Sequence, residues 1–169
     1  MQGTITIESE EGVGSVFTIT LPFEIAAEQP QTEQPAPAKA KDISGLHLLL
    51  VEDNALNAEI AAALLADRGV SVELARDGSE AVRMFREAPA GTYAGIIMDI
   101  MMPVMDGLTA TRAIRALERA DAKTIPIIAM TANAFEEDAR QCLAAGMNVH
   151  LAKPLCMEEL VAILARLCA

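Results

Sequence analysis

The sequence predicts an α/β domain, a parallel five-stranded sheet covered by helices on both faces, preceded by a β-hairpin and a linker. Three observations carry this reading. From Leu46 onward, short runs of Leu, Ile and Val alternate with stretches whose apolar residues recur at helical spacing, the pattern of strands buried on both faces. The stretch from Ala26 to Asp42, "AAEQPQTEQPAPAKAKD", is rich in Pro, Gln, Ala and charge, with too few apolar residues to build a core. Before it, Thr4-Ile5-Thr6-Ile7 and Val16-Phe17-Thr18-Ile19-Thr20-Leu21 alternate at the strand period around Gly12 and Gly14.

Taken in order, the hairpin is marginal by itself, since two strands bury too little, and it is expected to be the end of a larger domain. After the linker, Leu46–Val51 is the first strand of the sheet, followed by a helix expected to pack through Leu56, Ile60, Ala63 and Leu64 and to stop at Gly69. "VSVELA" is the second strand. Asp77 opens a helix carrying Ala81, Val82 and Phe85. Gly95–Met98 is the third strand, and Ala110, Ile114 and Leu117 mark the helix after it. "TIPIIAMT" is the fourth, with a helix around Ala139, Cys142 and Leu143 closed by Gly146. "VHLA" is the fifth, and Leu160, Leu164 and Leu167 stripe the last helix. Cys156 stands where that helix needs an oxygen cap, so Glu158 and Glu159 are expected to compensate in its first turn.

The chain has 169 residues, enough for one core of ordinary size. With 24 acidic against 13 basic residues and a net charge of −11, its surface repels phosphate backbones and anionic lipid, which argues against nucleic-acid binding and direct membrane contact. No apolar run reaches bilayer length and the first residues lack a signal-peptide layout, so a cytoplasmic location is expected, with a membrane anchor in a longer parent chain left open. Cys142, Cys156 and Cys168 are odd in number and widely spaced, as in a reducing compartment; a zinc site from Cys142, His150 and Cys156 fits no ligand spacing.

In an open parallel sheet the functional groups gather at the carboxyl ends of the strands. Here those ends carry Glu52 and Asp53, then Asp99, Thr131 and Lys153. Three carboxylates in one crevice repel unless a hard divalent cation such as Mg²⁺ neutralises them, with Lys153 adding a further positive charge. Met101 and Met102, just after Asp99, are expected to line that crevice.

"VEDNALN", "MDIMMPVMDG", "MTANA" and "AKPL", in this order over Gly45–Ala169, resemble the receiver domain of two-component response regulators, in the form fused to hybrid sensor histidine kinases. The resemblance implies a flavodoxin-like (βα)5 fold with strand order 2-1-3-4-5. It implies Mg²⁺-dependent passage of a phosphoryl group from a phosphohistidine to Asp99. Asp53 is then a direct metal ligand, Glu52 acts through water, and Asp99 and the backbone carbonyl of Met101 complete the protein's share. Lys153 and Thr131 meet the phosphoryl oxygens, and Thr131 with His150 forms a switch that reshapes the surface near the fourth and fifth helices. The resemblance further implies a cis peptide at Lys153-Pro154 and a part for Met101 and Asn133 in phosphoryl lifetime. The implied partners are a kinase phosphohistidine domain or a histidine phosphotransfer protein, and this stretch is not expected to be an enzyme itself. "GTITIESEEGVGSVFTITLPF" is similar to the closing strands of a histidine-kinase ATP-binding domain, giving 1–25 as remnant hairpin, 26–44 as linker and 45–169 as receiver.

Two alternatives use the same residues: an Mg²⁺-dependent phosphatase-like enzyme with an Asp nucleophile, and a structural pseudo-receiver. The first, of the haloacid-dehalogenase type, needs a second Asp two positions after the nucleophile, where Met101 stands. The second is expected to lack a site residue, and every one is present. A flavodoxin-like cofactor binder needs a phosphate-cradling loop where "EDNALN" supplies carboxylates.

Overall fold

The structure is a computed structural model that describes residues 3–10, 12, 14–22, 42–131, 136–153 and 155–168. The linker up to residue 41, Asn133 and Pro154, with the cis peptide expected there, lie outside the described residues. The chain divides into two compact units, Met1–Ala38 and Lys39–Ala169. Among the described residues no helix is long and apolar enough to cross a membrane.

The first unit contains β1 (Thr4–Glu10) and β2 (Gly14–Thr20), an antiparallel pair in which Ile5 faces Ile19 and Ile7 faces Phe17. Gly12 and Gly14 take positive φ in the turn, a conformation open to glycine without steric cost. Every strand residue is exposed, including Ile5, Ile7, Val16, Phe17 and Ile19.

The second unit holds β3 (His47–Val51), α1 (Ala55–Ala66), β4 (Ser71–Ala75), α2 (Gly78–Glu87), β5 (Gly95–Asp99), α3 (Gly107–Arg115), β6 (Ile127–Thr131), α4 (Glu136–Ala145), β7 (Val149–Ala152) and α5 (Met157–Leu167). The sheet is parallel throughout, with order β4-β3-β5-β6-β7. Counted from β3, this is the expected 2-1-3-4-5. Because alternate residues of a strand point to opposite faces, the strands divide their side chains between two cores. Leu49, Val51, Ile96, Met98, Ile127 and Ala129 meet α2, α3 and α4. Leu48, Leu50, Ile97, Ile128, Met130 and Leu151 meet α1 and α5. Ile43 is buried in this second core, so its packing begins two residues before Gly45.

The helix starts follow their caps. Asn54 accepts from the N–H groups of Leu56 and Asn57, and Asp77 from those of Ser79 and Glu80. Cys156 at the N-cap of α5 makes no side-chain capping bond, and Glu158 and Glu159 occupy the first turn as expected.

The packing face of α1 differs from the expectation. Its buried residues are Ala58, Ala61 and Leu65, whereas Leu56, Ile60 and Leu64 are exposed. Apolar side chains surround most of this helix, so periodicity alone does not choose a face. The small alanines allow close approach to the sheet, and of the bulky residues Leu65 turns inward while Leu56, Ile60 and Leu64 turn outward.

Candidate functional site

Parallel pairing brings the polar strand ends together. Val51 is in register with Met98, Asp99 with Met130, and Thr131 with Ala152, so Glu52, Asp99, Thr131 and Lys153 emerge at one end of the sheet. Glu52 and Asp99 are buried despite their charge, while Asp53 beside them is exposed. Lys153 joins the two buried carboxylates: its Nζ donates to Glu52 Oε2 and to Asp99 Oδ2, both at 2.7 Å. The other oxygen of Asp99 accepts the Met101 backbone N–H at 3.2 Å. Thr131 is buried, and its hydroxyl donates to the Leu151 carbonyl at 3.4 Å.

Burial decides the protonation balance. It raises the Asp99 pKa above the ordinary aspartate value even though the Lys153 hydrogen bond pulls the other way. Burial lowers the Lys153 pKa, but hydrogen bonds to Asp99 and Glu52 outweigh it and leave the ammonium above the ordinary lysine value. The charged lysine is therefore secure, and the carboxylate of Asp99 is the strained partner.

One oxygen from each of Glu52, Asp53 and Asp99 lies within 4.8 Å of the others. Hard carboxylate oxygens at such separations suit a hard dication such as Mg²⁺.

The loop from Ile100 to Asp106 walls one side of the site. Asp106 caps α3 by accepting from Thr109, and the Gly107 N–H donates to the Ile100 carbonyl at 3.0 Å. A Cβ at Gly107 would collide with the carbonyl oxygen of Asp99, so this close approach requires glycine. Within the loop, Val104 adopts a positive φ of 66° while its side chain is 87% exposed. Met101 is exposed too, but Met102 turns into the core under α2 and α3 instead of lining the crevice. On the opposite wall a cavity of about 520 Å³ runs from Glu52, Asn57 and Lys153 to Leu50, Ile60, Leu64 and Leu155.

Residues 48–165 match the response regulator receiver domain family. The chain belongs to that family. Among solved receivers, the domain of the sensor histidine kinase PA1611 from Pseudomonas aeruginosa, with magnesium coordinated in its active-site cleft, is 46% identical, with a TM-score of 0.66, over 74% of this chain and 98% of that one. A Saccharomyces cerevisiae co-crystal structure of the phosphotransfer protein Ypd1 with the receiver domain of Ssk1 matches at 30% identity and a TM-score of 0.64, covering 73% of this chain and 88% of that one. The aerobic respiration control sensor protein ArcB of Escherichia coli is 36% identical over 98% of this chain and 20% of its own length. Histidine kinase 5 of Arabidopsis thaliana is 31% identical over 85% of this chain and 18% of its own. The receiver chain thus spans about a fifth of these curated relatives.

Of the residues singled out in the sequence, Glu52, Asp53, Asp99 and Lys153 form one cluster, with the Met101 backbone bonded to Asp99. His150 is half-buried on β7; since Val149 and Leu151 pack toward α1 and α5, its ring belongs to the opposite face of the sheet. Sequence reasoning missed Asn57, whose amide donates to Glu52 at 3.1 Å. Its signal was its place in the first turn of α1, beside the acidic pair.

Proposed function

We propose that this receiver accepts a phosphoryl group on Asp99 from a phosphohistidine, with Mg²⁺ held by Asp53, Asp99 and the Met101 backbone carbonyl, and by Glu52 through water. The observation that carries this is the ion-paired Glu52–Lys153–Asp99 cluster beside exposed Asp53, a buried nucleophile next to a fixed ammonium and a free carboxylate. An Asp99 oxygen forms the bond to phosphorus as the bond to histidine nitrogen breaks, its electron pair leaving with the imidazole. Bound Mg²⁺ supplies charge neutralisation for the transferred oxygens. Lys153, already donating to Asp99, is placed to meet a second oxygen, and the Thr131 hydroxyl a third. Movement of Thr131 toward the phosphoryl group then lets the His150 ring shift, altering the surface near α4 and α5.

The donor docks over the open side of the site. The exposed stripe of Leu56, Ile60 and Leu64 along α1, next to the cavity that ends at Glu52 and Lys153, suits the apolar surface of a phosphohistidine-bearing domain or phosphotransfer protein. The N-terminal hairpin is read as the closing strands of a kinase ATP-binding domain in a longer sensor kinase, since its apolar strands are exposed. The receiver itself acts as acceptor, and kinase chemistry belongs to the parent chain.

The test mixes the chain with a phosphorylated histidine phosphotransfer protein and Mg²⁺. Acid-labile phosphate should move to this chain, and none should reach an Asp99→Ala variant. Asp53→Ala should weaken Mg²⁺ binding more than Glu52→Ala, because Glu52 is buried and held by Lys153 whereas Asp53 is exposed. Equal losses would reverse that assignment of ligands.

A further inference from the structure

Glu52 is a buried carboxylate with both oxygens engaged. Oε2 accepts Lys153 Nζ at 2.7 Å, while Oε1 accepts the Asn57 side-chain amide at 3.1 Å and the Asn54 backbone N–H at 3.4 Å. The backbone donor is at the long edge of hydrogen-bonding range, which leaves the Asn57 amide as the better partner of that oxygen. The backbone of Asn57 is held, because its N–H donates to the Asn54 side chain at 3.2 Å in the first turn of α1, and this keeps its amide within reach of Glu52.

We infer that Asn57 is a positioning residue for the acceptor site: its amide pins the Glu52 carboxylate in one orientation, so that Lys153 stays shared with Asp99 and the dication site keeps its shape. The inference rests on the proposed Mg²⁺ reading and extends it to a side chain outside the acidic cluster. The physical reason lies in the cost of a half-satisfied buried charge. Without the Asn57 donor, Oε1 of a nearly inaccessible carboxylate keeps only the long backbone contact. The carboxylate can relieve this by rotating or by drawing the Lys153 ammonium toward itself, and either movement takes the ammonium from Asp99. Groups that orient metal-site carboxylates change metal affinity by about 10–100-fold when removed. Asn57 is exposed, which puts its effect at the lower end.

The test is a double-substitution cycle on the full chain, read as Mg²⁺ dissociation constants from NMR shift titrations. Asn57→Ala should weaken Mg²⁺ binding by about tenfold. The same change in a Glu52→Gln background should have an effect of less than about twofold, because the charge that Asn57 holds is gone. Asn57→Gln, which retains an amide donor, should recover a large part of the loss, whereas a merely structural role for Asn57 would be insensitive to the donor. Unchanged affinity in Asn57→Ala, or an equal loss in both backgrounds, overturns the inference while leaving the metal site standing. Failure of the unsubstituted chain to bind Mg²⁺ would overturn the metal reading and this inference with it.

Discussion

Helices α1 and α5 cover the same face of the sheet, but α5 turns most of its bulky side chains inward and α1 most of its own outward. α5 places Leu160, Ile163 and Leu164 in the core, and they account for much of its packing. α1 buries Ala58, Ala61 and Leu65 and turns Leu56, Ile60 and Leu64 to solvent. Two helices with similar apolar content thus differ in how much of their bulk they bury. α1 is also the helix that starts beside the acidic pair, and its exposed Ile60 and Leu64 line the cavity that reaches Glu52 and Lys153.

The contrast is broken most severely in α5. Leu160→Ala or Leu164→Ala should cost about 2–5 kcal/mol, because each removes a fully buried side chain and leaves a cavity. Leu56→Ala, equally a leucine in a helix, should cost well under 1 kcal/mol by the same denaturant titration, roughly what surface changes cost. Enlarging the small face of α1 comes next: Ala61→Leu forces the helix from the sheet and should destabilise by about 1–3 kcal/mol.

The exposed stripe should register in transfer and not in folding. A Leu56→Glu, Ile60→Glu double variant should slow phosphotransfer from a protein donor about tenfold, equivalent to about 1.4 kcal/mol, and leave labelling by a small phosphodonor unchanged. Equal slowing with both donors would mean that the stripe supports the site itself. On the facing loop, Val104 combines high exposure with a left-handed backbone that a β-branched residue tolerates poorly. Val104→Gly should raise stability by up to about 1 kcal/mol by relieving that conformation. No gain in unfolding midpoint would show the backbone to be unstrained.

The smallest effect belongs to Asp99, the proposed acceptor. Since burial raises the Asp99 pKa, the folded metal-free chain holds that proton to higher pH than the unfolded chain, and stability falls as pH rises through this window. Asp99→Asn, which resembles the protonated form, should therefore unfold at a slightly higher temperature than the parent at neutral pH without metal. The difference should disappear as pH drops below the ordinary aspartate range, where Asp99 is protonated in both states.

The sheet was legible because buried parallel strands are continuous apolar runs, and the site was legible because its acids and lysine sit where those runs end. The packing face of α1 was not, because alanines and leucines surround it and only the sheet's demand for close approach selects between them. Asn57 escaped notice because its bond to Glu52, five residues back, depends on how the turn from β3 folds into α1, and its place beside the acidic pair was the signal for it. Val104 escaped because the turn after Pro103 places a β-branched residue where Gly or Asn is the usual occupant. The reach of the core back to Ile43 was hidden by its position beside a polar linker.

Asp99 is proposed as the acceptor, with a reactivity that depends on neutralising the acidic cluster. The most direct measurement incubates the chain with a small phosphodonor, with and without Mg²⁺, and locates added phosphate by mass spectrometry under neutral conditions. Phosphate on Asp99 alone, only when Mg²⁺ is present and absent from Asp99→Ala, is the predicted result. Metal-independent labelling, or phosphate on another residue with Asp99 unmodified, would contradict it.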